Sequence, residues 1–184
     1  MILHHRAFWF LRHGQTDWNA AQLSQGSVDI PLNQAGLAQA HAAAALLAGR
    51  AIGRVISSPL GRARVTAEIA AAALGLPVEI DPDLREADYG EREGQPMTDW
   101  FARWIDGTDT PAGAEPFADL RARAVGALNR ATAPELPQPV LVVAHGGLFR
   151  AARAAMGLDV DVRTPNAVPI HCTPGPAGWL LTPA

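Results

Sequence analysis

The 184-residue sequence contains no lysine, so all 15 of its basic residues are arginines. A phosphate loop of the Walker type and a Schiff-base mechanism both require a lysine. The absence of lysine therefore excludes both chemistries. The sequence also has one cysteine, Cys172. A single cysteine excludes an intrachain disulfide and a zinc site made of several cysteines.

Charged residues and long apolar runs are scarce as well. Only 18 % of the residues are charged, the net charge is −3, and no basic stripe typical of nucleic-acid binding is present. No apolar run approaches the roughly 20 residues of a membrane span, and residues 1–14 become polar too early for a secretory signal. These features predict a cytoplasmic protein that binds neither nucleic acid nor membrane, and leave a monomer or a homodimer open.

Apolar runs and helical stretches alternate along the chain, of which 48 % is hydrophobic. This alternation predicts one α/β domain over residues 1–184, with a mostly parallel sheet covered by helices on both faces. The predicted strands are 7–11, 54–57, 78–80, 140–144, 168–171 and 178–181. The predicted helices run from the N-cap Asn33 to about 48, over 60–74, from a first-turn Pro116 to about 131, and from Gly146-Gly147 to 156.

Residues 87–115 break this pattern. They carry many turn-forming residues together with three bulky aromatics, Trp100, Phe101 and Trp104. We expect this stretch to form a small cap inserted into the domain. Its aromatic side chains either wall a substrate pocket or pack into the core.

Arginine, histidine and glutamate residues follow the predicted strands. Arg12-His13-Gly14 ends the first strand, Arg62 follows the second, and His145 follows the apolar VLVVA strand. Glu86 lies in the segment after the third strand. Because ligands of parallel sheets bind beyond the carboxyl ends of the strands, we expect these side chains to converge.

Such a set is suited to phosphoryl transfer. Arginine forks bind phosphate oxygens, a neutral imidazole is a nucleophile toward phosphorus, and a carboxylic acid can protonate a leaving oxygen. Arginine and histidine supply the positive field, so neither a metal ion nor a cofactor is required. His13 and His145 also lack partners at metal-ligand spacing. Each element alone is a weak signal, and their ordered appearance at strand ends carries the prediction.

Six ordered segments carry a family resemblance over residues 7–170. LRHGQTDWN is followed by QGSVDIPLNQAGLAQA, ISSPLGRARVTAE, LREADYGEREG, PAGAEPFADLRAR and VLVVAHGGLFRA. In this order and spacing they resemble the histidine phosphatase superfamily, also called phosphoglycerate-mutase-like proteins. The resemblance implies a three-layer α/β/α sandwich. The PAGAEPF segment and the short chain are similar to the α-ribazole phosphatase subgroup.

The resemblance also implies a role for each matching residue. His13 would be the nucleophile that becomes phosphorylated, and Glu86 would donate a proton to the leaving alcohol and then activate water. Gly14 would position the imidazole of His13 through its backbone. The residues that would hold the phosphoryl oxygens are Arg12, Asn19, Arg62 and His145.

The resemblance leaves three functions open, of which we favour a phosphatase for small phosphomonoesters. Gly146 after His145 excludes the branch whose acid is an aspartate at that position, so Glu86 takes this role. Glu86 and His145 are only 59 residues apart, and the C-terminal WLLTPA has no basic tail, which favours hydrolysis over a phosphoglycerate mutase. A non-catalytic phospho-ligand binder would usually have lost one of these residues.

Overall fold

The computed structural model describes residues 2–184, and a six-stranded sheet forms the centre of this region. The strand order is β3-β2-β4-β1-β5-β6. Neighbouring strands from β3 through β1 are parallel, whereas β5 is antiparallel to β1 and β6 to β5. The strands are β1 Phe8–Arg12, β2 Arg54–Ser57, β3 Val78–Ile80, β4 Val140–Ala144, β5 Ile170–Gly175 and β6 Gly178–Pro183.

Helices cover both faces of the sheet. They are α1 Asp17–Ala20, α2 Gln34–Leu47, α3 Gly61–Leu74, α4 Asp99–Asp106, α5 Phe117–Ala131 and α6 Gly146–Ala155. Side chains of α2 and α3 share one apolar cluster with Leu141 and Val143 of β4. Those of α4, α5 and α6 share the opposite cluster with Val140 and Val142. The predicted three-layer sandwich with a mostly parallel sheet is therefore confirmed, and the alternation along β4 is its cause.

Local sequence signals set some of the helix ends. Asn33 is the N-cap of α2, and its side chain accepts a hydrogen bond from the Gly36 amide at 2.8 Å. Gly75 ends α3 in the left-handed conformation, at φ 67°. The prediction for Pro116 was wrong by one residue. Pro116 has an extended backbone, with ψ 140°, and is the N-cap of α5 rather than part of its first turn.

The C-terminal strands also differ from their predicted bounds. The predicted strand 168–171 is β5, Ile170–Gly175, and the predicted strand 178–181 extends to Pro183. Ladder pairing with β1 begins only where Ile170 lies opposite Phe10, and the hairpin with β6 then continues through Gly175. Hydrogen bonding between strands, which apolar runs do not reveal, decides these limits.

The stretch 87–115 contains a helix that the sequence pattern did not predict. In α4, Trp100 and Trp104 lie one turn apart and are buried, and Gly107 ends the helix at φ 77°. The indole nitrogen of Trp104 donates to the carbonyl of Glu115 at 2.8 Å. These aromatics belong to the same apolar cluster as Phe10 of β1. Tertiary packing thus stabilises a helix too short to be recognised among turn residues.

Backbone hydrogen bonds continue past the ends of the parallel strands. The His13 amide donates to the Ala144 carbonyl, and the Ser58 amide donates to the Val143 carbonyl, each at 3.0 Å. The first residues after β1, β2 and β4 therefore lie side by side at one edge. Among residues 2–184, no helix has the length and apolar character needed to cross a membrane.

Candidate active site

The structure brings His13 and His145 together at the carboxyl edge of the sheet. Their ring centroids are 5.3 Å apart, with an angle of 56° between the ring planes. Both side chains are almost fully buried. The parallel pairing of β1 with β4 accounts for this placement, because it aligns Arg12 with Ala144 and so puts the two following residues next to each other.

The Gly14 backbone determines the orientation of the His13 ring. Nδ1 of His13 lies 2.7 Å from the Gly14 carbonyl oxygen, which can only accept, so Nδ1 carries the proton and Nε2 keeps its lone pair. The Gly14 amide donates to Thr66 Oγ1 at 3.1 Å. A Cβ on Gly14 would lie 2.3 Å from the carbonyl oxygen of Gly36, so the close approach of α2 requires glycine here.

Two arginines surround these rings and are held by backbone carbonyls. Arg12 donates to the Thr164 carbonyl at 2.7 Å, and Arg62 donates to the carbonyls of Gly26 and Val28 at 2.8 Å each. The Nε atoms of both arginines are buried and have no hydrogen-bond partner among residues 2–184. Unpaired buried donors cost about 1–3 kcal/mol each, and native proteins tolerate few of them outside functional sites.

The arginines and the burial control the charge of the two histidines. Burial, and then the positive charges of Arg12 and Arg62, hold the pKa of His13 well below its usual 6.5. Burial and the same charges lower the pKa of His145 in the same way. Burial also lowers the pKa of Arg12 to about 10, so that its guanidinium stays charged at neutral pH. A neutral imidazole beside charged guanidinium groups is the arrangement that attack on a phosphoester needs.

His145 lies behind the cleft rather than in its wall. Its Nε2 is 2.7 Å from the Ser58 hydroxyl oxygen, while its buried Nδ1 has no partner within the described part of the chain. The Ser58 hydroxyl oxygen also accepts from the Leu60 amide at 3.2 Å, which ties the ring to the start of α3. A direct contact between His145 and a phosphoryl group stays a prediction.

Glu86 lies at the N-terminus of α6. Its two carboxylate oxygens accept from the amides of Gly147 at 2.8 Å and Leu148 at 2.9 Å. A Cβ on Gly147 would lie 2.6 Å from this carboxylate and 2.4 Å from the Tyr89 hydroxyl, so glycine is needed for the carboxylate to reach the helix end. Glu86 is therefore placed against the same loop that follows His145.

The segment after β1 carries Asn19, in α1, and Gln25, in the following loop, which the sequence did not single out. Asn19 forms a capping box with Thr16, and its side-chain oxygen accepts from Asn166 at 3.1 Å. Asn166 also donates to the His13 carbonyl at 2.9 Å. Gln25 bonds Thr16 through its amide nitrogen, while its buried amide oxygen has no partner in the described chain. An isolated glutamine in a loop offers no sequence signal for such a position.

These groups line one cleft of about 380 Å³. Five of the seven sequence-predicted residues are in its wall, namely Arg12, His13, Asn19, Arg62 and Glu86, whereas Gly14 and His145 support it from behind. The wall also includes residues that the sequence did not point to, among them Gln25, Tyr89, Arg150, Asp161 and Arg163. Phe101 lines the cleft too, whereas Trp104 is fully buried in the core.

Comparisons with known proteins agree with this geometry. The family model of the histidine phosphatase superfamily (branch 1) matches residues 8–173. An uncharacterised phosphatase, PhoE, from Bacillus subtilis is 37 % identical over 145 residues, covering 79 % of this chain and 74 % of the relative. A probable phosphoglycerate mutase, GpmB, from Yersinia pestis is 36 % identical over 148 residues, covering 75 % and 68 %.

Solved structures give the same result. A mycobacterial glucosyl-3-phosphoglycerate phosphatase in complex with VO3 superimposes with a TM-score of 0.81 at 33 % identity, covering 96 % of this chain and 97 % of the other. A putative α-ribazole-5'-P phosphatase from Escherichia coli K-12 gives 0.81 at 25 % identity, covering 98 % and 96 %. The fold and the site define a phosphoric-ester hydrolase. The chain belongs to the histidine phosphatase superfamily, as its motifs predict.

The lowered pKa values of His13 and His145 predict how stability depends on pH. Below pH 6.5 the unfolded chain takes up protons that the buried rings do not. Their contribution to the free energy of unfolding should be complete above pH 6.5 and fall as pH drops toward 5.5. The slope should be up to about 1.4 kcal/mol per pH unit for each histidine. Urea unfolding at pH 7.5, 6.5 and 5.5 in a phosphate-free buffer measures this slope of the free energy of unfolding.

His145→Gln should flatten this dependence because it removes one of the two protonation sites. His41→Gln is the matched control, since His41 is exposed on α2 and its loss should leave the slope unchanged. An undiminished slope in His145→Gln would show that other groups cause the acid sensitivity.

Proposed function

We propose that this phosphatase hydrolyses small phosphomonoesters by double displacement through a phosphohistidine at His13. The observation that carries the proposal is the His13 ring itself. It is neutral, its Nδ1 is held by the Gly14 carbonyl, and it lines a cleft shared with Arg12 and Arg62. Its free Nε2 is the one uncharged nitrogen nucleophile in the wall of that cleft within the described residues.

In the first step, the Nε2 lone pair of His13 attacks phosphorus and the ester P–O bond breaks. Arg12, Arg62 and Asn19 hold the phosphoryl oxygens, together with His145 behind them, and stabilise the charge that spreads over these oxygens. Glu86 gives its proton to the leaving alkoxide, which departs as the alcohol. The two unpaired Nε donors of the arginines supply further hydrogen bonds to the phosphoryl group.

In the second step, the Glu86 carboxylate takes a proton from water and the resulting hydroxide attacks the phosphohistidine. The P–N bond breaks, inorganic phosphate leaves, and His13 and protonated Glu86 return to their starting states. The guanidinium groups supply the positive charge for both steps, so the proposal includes neither a metal ion nor another cofactor.

Three further predictions from the sequence are part of the proposal. Residues 87–115 form a small cap over one domain, and this stretch contributes Tyr89, Met97, Thr98, Phe101 and Ala102 to the cleft wall. The partner is a small phosphorylated molecule, not nucleic acid or membrane. The location is cytoplasmic, which suits the single buried Cys172.

A bisphosphoglycerate-dependent phosphoglycerate mutase is the second candidate, because one relative bears the name of a probable mutase. A mutase must retain the phosphohistidine until its intermediate rebinds in a second orientation. Formation of 2-phosphoglycerate from 3-phosphoglycerate, dependent on bisphosphoglycerate and faster than phosphate release, would establish that function. Phosphate release without isomerisation would establish the hydrolase.

His13→Ala should lower phosphate release by at least about 10³-fold, since it removes the nucleophile. The measurement is phosphate release from sugar, nucleotide and glycerate monoesters in EDTA. His41→Ala is the control and should keep full activity. Full turnover in His13→Ala, or loss of wild-type activity in EDTA, would contradict the proposed chemistry.

Glu86→Gln should slow hydrolysis of an alkyl phosphate by about 10²-fold or more and that of p-nitrophenyl phosphate by less than about 10-fold. Nitrophenolate leaves without protonation, whereas an alkoxide does not. The exposed Glu91 gives a matched control, Glu91→Gln, which should affect neither ester. Equal losses on both esters would argue against Glu86 as the proton donor.

A further inference from the structure

One short segment of the loop before β5 lies against the end of β1 that carries the nucleophile. Nη1 of Arg12 donates to the Thr164 carbonyl at 2.7 Å, and the Ala167 amide donates to the Arg12 carbonyl at 2.9 Å. The Asn166 side chain donates to the carbonyl of His13. Three hydrogen bonds therefore connect this segment to two consecutive residues of the site.

The backbone of this segment has an unusual conformation at Ala167. Its φ is 48°, in the left-handed region that residues with a Cβ rarely adopt, and the residue is buried. Such conformations persist only where the surrounding structure imposes them, and they are found mostly near functional sites. Ala167 directly follows Asn166, so this turn belongs to the backbone from which the Asn166 side chain extends.

The neighbours of the Asn166 amide group allow it one orientation. Its Nδ2 lies 2.9 Å from the His13 carbonyl oxygen, which can only accept a hydrogen bond, so the nitrogen must face that oxygen. The same Nδ2 donates to Oδ1 of Asn19 at 3.1 Å. Asn166 is half-buried and does not line the cleft. It is therefore placed to act on other residues of the site and not on a ligand.

The same contacts determine which end of the Asn19 amide group is free for a ligand. Oδ1 of Asn19 accepts from Nδ2 of Asn166 and from the Thr16 amide at 3.3 Å. A carbonyl oxygen has two lone pairs, and these two donors use both of them. Asn19 lines the cleft, and its Nδ2 has no hydrogen-bond partner among residues 2–184. The nitrogen end, which is a donor, is the end left for a phosphoryl oxygen.

We propose that Asn166 is a positioning residue for phosphoryl binding. It fixes the amide group of Asn19 so that the nitrogen donates to a phosphoryl oxygen, and it ties the backbone of His13 to the same loop. Without the Asn166 donor, a half-turn of the Asn19 amide would present an acceptor to a negatively charged group. This inference rests on the proposed phosphatase function and adds to it a residue outside the cleft.

A different set of contacts holds the proton donor. Nη1 of Arg123, on α5, donates to the carbonyls of Asp83 and Arg85 at 2.8 Å each. Nη2 of Arg123 reaches the Glu86 carbonyl at 3.4 Å. The side-chain hydrogen bonds of Asn166 go to other residues. Loss of Asn166 should therefore weaken phosphoryl binding and leave protonation of the leaving alcohol intact.

Asn166→Asp tests this role, because it keeps the size of the side chain but cannot donate. Its kcat/KM should fall about tenfold or more, since loss of one direct donor to a reacting oxygen costs about 10²–10³-fold. An alkyl phosphate and p-nitrophenyl phosphate share the phosphoryl group, so their losses should agree within about threefold. Glu86→Gln, in contrast, should distinguish between these two esters.

A binding measurement gives a readout that does not depend on turnover. Calorimetric titration with inorganic phosphate should give a Kd at least about fivefold higher for Asn166→Asp than for the wild type. Asn166→Ala removes the donor without adding a charge and should show a smaller loss of the same kind. Added to Asn19→Ala, it should lower kcat/KM by less than about threefold, since the supported interaction is already missing.

Asn129→Asp is the matched control. Asn129 is half-buried on α5, accepts from the His4 amide at 2.8 Å and donates to the Ile2 carbonyl at 2.9 Å. It does not line the cleft. The same chemical change at this site should leave kcat/KM and the Kd for phosphate unchanged within about twofold.

Wild-type rates and phosphate affinity in Asn166→Asp would overturn the positioning role and leave the phosphatase function intact. A larger loss on the alkyl ester than on p-nitrophenyl phosphate, or full additivity with Asn19→Ala, would overturn it as well. If Asn166→Asp does not fold, the same comparisons in Asn166→Ala decide. A wild-type protein that hydrolyses no ester would overturn the phosphatase function, and the phosphate titration would still test the role of Asn166.

Discussion

The parallel pairing of β1 with β4 is the constraint on which the site depends. It extends past both strands through the hydrogen bond from the His13 amide to the Ala144 carbonyl, and so places two residues far apart in sequence in adjacent positions. Because every residue of β4 is buried, a shift of its register with β1 would disrupt close packing on both faces of the sheet. The stability of the core and the geometry of the two imidazoles therefore have the same origin.

The burial of charged and ionisable side chains makes this geometry suitable for phosphoryl transfer. The guanidinium group of Arg12 is held by one backbone carbonyl, and that of Arg62 by two backbone carbonyls and by the exposed carboxylate of Asp29 at 3.5 Å. Both groups supply positive charge to the cleft. Burial, and then the same charge, lowers the pKa of His13 and keeps its ring neutral and thus nucleophilic. Glu86 is held separately, by the N-terminus of α6. Nucleophile, anion-binding groups and proton donor are each positioned by backbone atoms, which move less than side chains do.

Much of the fold followed from local patterns, and the exceptions share one cause. The runs at 54–57, 78–80 and 140–144 are strands with the predicted bounds. The run at 140–144 is apolar and buried throughout, which is typical of a central strand covered on both faces. The helix α4 and the true limits of β5 depend on contacts made by distant residues. Trp100 and Trp104 form a buried helix face because they pack into the core, and no local sequence signal predicts this packing.

The sequence by itself determined the fold class, the family and the chemical character of the inner cleft, because arginine, histidine and glutamate follow successive strands in a fixed order. Only the tertiary structure decided that His145 lies behind His13, and that Gln25 and Arg150 join the cleft wall. It also decided that Arg123 holds the segment of Glu86. Such roles depend on the packing of loops and helix faces in three dimensions, and residue type and spacing along the chain do not encode those distances.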